Sequence, residues 1–337
     1  MTRRKKTVIA VIFTCVAAIG LILYGLADRY LIEHVEQVIT DTSKEASAAA
    51  SDGDVPLGEG SAEAPEDEST AANGEESSSD QGEAAKYSAD DWNYNSDQLN
   101  IAIKRVTTGS GNDQITYYAA DVKTAEASML KAAFAENAFG RNIIENTSKI
   151  ASDHEAIFAI NGDYYGFRSD GVVVRNGELY RDEPARDAVA LYEDGTMGSY
   201  DETAVSAESL LQKGVIHTLS FGPALVKNGE VVQNLDNVKI DSNFGNRSIS
   251  NANPRTGIGM IAPNHYVFVV VDGRSAESRG MTLDEFAGLF GDLGATEAYN
   301  LDGGGSSTMY FMGRVVNNPL GRGQERGVSD ILYVGGE

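Results

Sequence analysis

Three times between Val172 and Val232 a run of alternating apolar residues breaks at a polar dipeptide and then resumes: VVVRNGELYRD, AVALYEDGTMGSY and PALVKNGEVV. Asn-Gly and Asp-Gly suit the centre of a tight hairpin turn, because these residues tolerate positive φ. Alternation on either side gives each arm one face to bury. This punctuation commits much of the chain to antiparallel pairing. VFVVVDG (267–273) adds a buried strand that runs into a turn. Two stretches read as helices. From about Thr124 to Ile150, Met129, Ala133 and Phe134, then Ile143, Ile144 and Thr147, recur at helix-like spacing. In RGMTLDEFAGLFGDLGA, Thr282 and Glu285 have capping-box spacing, Phe286, Leu289, Phe290 and Leu293 form an apolar stripe, and Gly294 suits the C-terminal cap. The expected class is α+β, with mixed or antiparallel sheets and a few packing helices.

The N-terminus sets the domain organisation. TVIAVIFTCVAAIGLILYGLA, Thr7 to Ala27, carries no charge, and as a helix it is about 31 Å long, enough to cross a bilayer core. Its length favours an uncleaved anchor over a cleaved signal peptide, although Gly25 and Ala27 offer a small-x-small site. Arg3, Arg4, Lys5 and Lys6 precede it, so the N-terminus is expected in the cytoplasm and the rest outside, as a single-pass protein of the cell membrane. Residues 41–86 carry a net charge of −11 and no aromatic side chain, the composition of a disordered acidic linker. Residues 87–337 form the folded domain, with its motifs in about 150–335. The sequence therefore divides into 1–40, 41–86 and 87–337.

A net charge of −23 argues against nucleic acid as a partner. The single cysteine, Cys15, lies in the apolar segment, so the exported part forms no disulfide of its own. His34, His154, His217 and His265 are far apart and show no metal-ligand spacing. No cofactor is expected, and assistance by a divalent ion stays open. No Gly-Lys-Ser/Thr follows the glycine-rich stretch, and no G-x-S-x-G elbow occurs.

Chemistry concentrates where apolar runs end. YNLDGGGSST (299–308) places Asp302 before Gly303, Gly304 and Gly305, with Ser306 following. Such glycines permit an anion-binding nest of amides, or equally a bend crossed by another backbone. AINGDYYGF (159–167) brings Asn161, Gly162 and Asp163 out of a strand beside Tyr164 and Tyr165, either as turn chemistry or as a sugar-facing loop. Asp163, Asp272 and Asp302 are the candidate catalytic carboxylates. Arg255, Arg274, Arg279 and Arg326 stand at loop ends, where a planar guanidinium can fork onto phosphate.

AINGDYYG, SFGPALVKNGEV, NPRTGIG, VVVDGR…SRGMTLDEFA, NLDGGGSST and RGVSD follow one another in an order that resembles the phosphodiester glycosidase family. The apolar segment and acidic stretch look like those of bacterial cell-envelope, exopolysaccharide-related members. The resemblance implies hydrolysis of a sugar-1-phosphodiester, N-acetylglucosamine-1-phosphate-like, at the anomeric carbon, with a phosphorylated glycan as partner. It implies substrate-binding roles for Asn161, Gly162, Arg255, Arg279 and Gly303 to Ser306, with Asp302, Asp272 and Asp163 as carboxylates. Asp163 stands where some members carry glycine. The alternative is a non-catalytic surface module that binds anionic polysaccharide or teichoic acid through the same loops.

Overall fold

The structure is a computed structural model that describes residues 3–39, 87–238, 249 and 251–335. The stretch read as a linker, 41–86, lies outside the described residues. Among the described residues every strand pairing is antiparallel, and the fold is predominantly β with a few helices.

One sheet has nine strands in the spatial order Glu230–Val231, Ala224–Lys227, Glu297–Asn300, Arg255–Ala262, His265–Val271, Ile115–Thr124, Leu99–Thr108, Asn93–Ser96 and Tyr87–Ala89. A second has five: Arg314–Val315, Met309–Phe311, Ala156–Asn161, Asp330–Gly335 and Leu130–Phe134. A three-stranded sheet joins Met197–Asp201, Asp187–Tyr192 and Val215–Leu219. The three dipeptides do turn hairpins, pairing Val173–Arg175 with Glu178–Arg181, Asp187–Tyr192 with Met197–Asp201, and Ala224–Lys227 with Glu230–Val231. Asn176 and Asn228 sit at φ 51° and 52° and their glycines at 80°, the left-handed pair that such turns need.

The main core lies between the two large sheets. Ile101, Val122, Ile258, Phe268 and Val270 come from the first, and Phe158, Ile160, Phe311 and Leu332 from the second. The opposite face of the nine-stranded sheet carries one of four helices among the described residues: α1 (Arg3–Tyr30), α2 (Thr147–Asp153), α3 (Ala207–Gln212) and α4 (Leu283–Asp292). The α4 capping box forms as expected, with Thr282 Oγ1 accepting from Glu285 N and Glu285 accepting from Thr282 N. Phe286 and Phe290 of α4 lie fully buried on Gly257 and Gly259, where a Cβ would come within 2.9 and 2.8 Å of their rings. The RTGIG pattern thus seats two rings, each contributing about 1.5–3 kcal/mol of burial.

The helix expected over 124–150 is not there. Leu130–Phe134 and Ala138–Arg141 are strands, and only α2 at the end of the stretch is helical. Glu136, Asn137 and Asn142 take φ of 54°, 51° and 62°, which no right-handed helix accommodates. Long-range pairing of Leu130–Phe134 with Asp330–Gly335 decides the matter over local periodicity.

Helix α1 holds the apolar N-terminal stretch, with Phe13, Val16, Leu21 and Leu23 more than half exposed. Among the described residues no helix is long and apolar enough to cross a membrane; the side chains of α1 are described from Phe13 to Arg29. The segment after it is part of the folded body. His34–Val38 pairs with Ala138–Arg141, and Asn142 Nδ2 donates to the carbonyls of Asp28 (3.2 Å) and Ile32 (2.8 Å).

Candidate active site

The site forms where strand ends of the two large sheets meet. Asn161 ends Ala156–Asn161 and is fully buried. Its Nδ2 donates to the Asp302 carbonyl (2.8 Å), while its Oδ1 accepts from Thr256 Oγ1 (2.8 Å) and Thr308 N (3.2 Å). One amide side chain therefore fastens three motifs together: AINGD, RTGIG and DGGGSST. Its observed role is positioning.

Asp302 lies at the centre. Its Oδ2 accepts from Ser306 Oγ (2.6 Å) and Arg326 Nη2 (2.9 Å), and Arg326 also donates to Ser306 Oγ through Nε (3.1 Å) and Nη2 (2.6 Å). Oδ1 makes no hydrogen bond among the described residues. Burial pushes the Asp302 carboxyl above the usual carboxylate range, and Arg326, Ser306 and Arg168 pull against that rise. The Arg326 side chain is 47% exposed and that of Asp302 12%. A largely sheltered carboxylate is thus backed by a cation that still reaches solvent.

The triglycine bend combines both expected uses of its glycines. A Cβ on Gly303 would meet the Pro254 carbonyl at 2.7 Å, and Gly304 N donates to that same carbonyl at 2.9 Å. Another backbone does cross here, and it takes up one of the three amides assigned to an anion nest. Gly304, at φ 65°, lies beneath the Arg274 guanidinium, which would be 3.5 Å from a Cβ there. Arg274 is held by Asn253 Oδ1 (2.8 Å).

Beside Asp302, the Arg168 guanidinium lies 5.3 Å from the ring of Tyr164 and 4.9 Å from that of Phe221, two rings that meet edge to face, and donates through Nη1 to the Ser220 carbonyl (2.9 Å). Phe221 reaches this position because Asn300 ties the following turn to the sheet, donating through Nδ2 to the Gly222 carbonyl at 2.8 Å. Two partly buried rings thus pack beside Arg168, whose charge also acts on the Asp302 carboxyl.

Several expected site residues are occupied elsewhere. Arg255 is buried and donates to the backbone carbonyls of Met281 (3.0 Å), Asn251 (2.8 Å) and Ile249. Burial, with Arg274 nearby, lowers its pKa to about 10. It braces the backbone at residues 249 and 251 instead of presenting a fork to phosphate. Arg279 pairs through both terminal nitrogens with Glu285 at the start of α4, and its cation holds Glu285 down to about 2. Asp272 accepts from Asn317 Nδ2 (3.0 Å) and Asn318 N (2.9 Å), which makes it an anchor for that loop; burial pushes its carboxyl up. Asp163 accepts from Ser220 N (2.6 Å) and lies 3.9 Å from Arg175 Nη2. Gly162 is required by packing, since a Cβ would fall 2.3 Å from Asp330 Oδ1. Among the described residues no cluster of three His, Cys, Asp or Glu is placed to hold a metal ion.

Arg168, outside the expected set, enters the site, as does Arg326, one of the four loop-end arginines. Arg168 follows AINGDYYGF directly, and only the fold shows its stacking against Phe221. Arg326 belongs to RGVSD, whose Asp330 forms a separate, fully buried pair with Arg175 (Nε to Oδ2 2.8 Å, Nη2 to Oδ2 2.7 Å).

Fold and site together describe an antiparallel α+β domain whose carboxylate–arginine centre lies at converging strand ends. Comparison with known proteins supplies the family. The phosphodiester glycosidase (NAGPA) family model matches residues 154–335. The chain belongs to the phosphodiester glycosidase family, whose members are hydrolases of phosphodiester glycosyl bonds. It is 33% identical over 243 residues to the SPbeta prophage-derived uncharacterized protein YomE of Bacillus subtilis (strain 168), covering 65% of this chain and 36% of that relative. The chain therefore spans about a third of that relative's length. Its fold is similar to the zebrafish N-acetylglucosamine-1-phosphodiester alpha-N-acetylglucosaminidase catalytic domain, auto-inhibited by its pro-peptide, with a TM-score of 0.59 and 20% identity over 72% of this chain and 85% of that one.

Proposed function

We propose that this chain hydrolyses a sugar-1-phosphodiester, N-acetylglucosamine-1-phosphate-like, in a cell-envelope or exopolysaccharide glycan, releasing the sugar from a phosphomonoester. The observation that carries this reading is the Asp302–Ser306–Arg326 cluster. Glycosyl transfer to water passes through an oxocarbenium-like state. The phosphate that departs is already a weak base, so donors that meet its growing charge matter more than a strong general acid. Arg326, half in solvent, is placed to meet that charge, with Arg274 over the glycine bend beside it. Asp302 has one oxygen anchored and one open, the arrangement needed to take a proton from attacking water or to face the cationic anomeric carbon. Water supplies the new C–O bond, the anomeric C–O(P) bond breaks, and its electron pair leaves on phosphate. Tyr164 and Phe221 supply aromatic faces for the sugar ring.

The test is hydrolysis in ¹⁸O-labelled water, with analysis of both products. Label on the sugar supports cleavage at the anomeric carbon. Label on the phosphate would make the protein a phosphodiesterase of the other bond, and retention of polymer without release of reducing sugar would make it a binding module.

We also propose that α1 is a single-pass anchor, with the N-terminus in the cytoplasm and the catalytic domain outside. The uncharged run Thr7–Ala27, the four preceding cations and the exposed apolar side chains of α1 support this placement. Extraction by alkaline carbonate from intact membranes would refute it.

A further inference from the structure

The stretch that delivers Arg326 to Asp302 is held from both sides. After Arg326, Val328 N donates to the Glu145 carbonyl (2.9 Å) and Glu145 N to that of Val328 (3.0 Å), while a Cβ on Gly327 would meet Ile144 at 3.1 Å. Before it, Glu325 reaches α2, where Oε1 accepts from Ser148 N (2.9 Å) and Oε2 from Ser148 Oγ (2.5 Å). Just upstream, Gly323 N donates to Asn318 Oδ1 (2.7 Å) and Gln324 N to the Pro319 carbonyl (3.1 Å), bonds that close the loop on itself. Arg326 N makes a longer contact with the Gly305 carbonyl (3.3 Å). Because the Arg326 side chain is 47% exposed, water competes for its guanidinium, and the backbone has to present it.

We propose that Glu325 is a positioning residue: by fastening this loop to Ser148, it sets the Arg326 guanidinium against Asp302 and Ser306. The inference deepens the proposed hydrolysis and rests on it for its meaning. A carboxylate beside Arg326 also exerts a field of its own, and the two influences have opposite signs. Removing a negative charge makes Asp302 easier to ionise, whereas releasing Arg326 makes it harder. Arg326 and Arg168 are the cations that hold the Asp302 carboxyl down.

The experiment uses the detergent-solubilised full chain, with thermal unfolding as the control for folding. Turnover of a glycosyl-1-phosphodiester is followed against pH. Separately, the Asp302 carboxyl is titrated by NMR with ¹³C-labelled aspartate, its resonance identified by loss in Asp302→Asn. In Glu325→Ala, kcat/KM should fall about 10–10²-fold, and both its rise with pH and the carboxyl titration should move upward, toward those of Arg326→Ala. Glu325→Gln can keep both bonds to Ser148, so it should restore turnover and leave the titration unmoved or slightly lower. Glu325→Asp keeps the charge and loses the reach; it should behave as Glu325→Ala and serves where that variant does not fold. Glu325→Ala combined with Arg326→Ala should be no worse than Arg326→Ala alone. An unmoved or downward titration in the folded Glu325→Ala or Glu325→Asp protein, or losses that multiply in the double variant, overturns the proposal. Titrations that shift as expected in a protein without turnover would keep this tie and remove the hydrolysis. Turnover with no shift would do the reverse.

Discussion

Two aspartate–arginine pairs stand near the same strand ends, and they differ in one respect. Arg175 and Asp330 are both wholly buried, whereas Arg326 is 47% exposed over an Asp302 that is 12% exposed. The closed pair has every reason to be structural. Asp330 also accepts from Asp163 N at 3.0 Å, and Arg175 donates to the Val174 carbonyl at 3.0 Å and to that of Thr218. The open pair keeps one carboxylate oxygen and part of a guanidinium for something else. Charge type alone does not separate a brace from a reactive centre; access to solvent does.

The largest effect that would sharpen this contrast belongs to Asp302→Asn. Loss of the open carboxylate should cut turnover of a glycosyl-1-phosphodiester about 10²–10⁴-fold while thermal unfolding stays close to wild type. A folded variant with near-normal turnover would break the distinction. Arg175→Met tests the closed pair. It leaves Asp163 and Asp330 buried without their cation, and stability should fall by about 3–5 kcal/mol at neutral pH. Burial raises the Asp330 carboxyl to about 6, so its folded pKa lies above its unfolded one. Arg175 pulls against that rise, so without it the carboxyl titrates higher still, and the Arg175→Met deficit, measured by denaturant titration, should shrink as pH falls toward about 6 and level off below it, where Asp330 is protonated in both proteins.

A smaller effect is expected in the pH profile. Asp302 works as a base only when ionised, and burial raises its pKa, so kcat/KM should climb with pH on a limb above the ordinary value of about 3.9. Arg326 opposes that rise, so Arg326→Ala should move the limb further upward. Arg326→Lys should leave the limb near its place and raise KM through loss of the planar fork. The smallest change belongs to Arg279→Ala. Its pair with Glu285 is partly exposed and should contribute no more than about 1 kcal/mol, with turnover unaltered; a large fall in kcat would return Arg279 to the site.

What could be read from the sequence was local. Asn-Gly and Asp-Gly turns, the Thr282–Glu285 cap and the strand–helix–strand order before the glycine bend all depend on residues a few positions apart, and each formed as expected. Asp302 and Ser306 were legible for the same reason, since they lie within one loop. Arg274 and Arg326 stood out at loop ends as well; the places of Arg255 and Arg168 did not. Whether Arg255 faces phosphate or the carbonyls of residues 249, 251 and 281 depends on how a distant loop folds back. Arg168 became a site residue only because a remote turn carries Phe221 onto its guanidinium. The false helix over 124–150 has the same origin: its alanines suit either period, and pairing with Asp330–Gly335 chose between them.

The short strand His34–Val38 has a mechanical consequence. Because it is laced to Ala138–Arg141, a pull along α1 is delivered straight into the domain. A polypeptide begun at Tyr87 would lack that lacing and would leave Ala138–Arg141 with a raw edge, open to sticking between copies. Catalytic assays on so shortened a protein would report on an altered molecule.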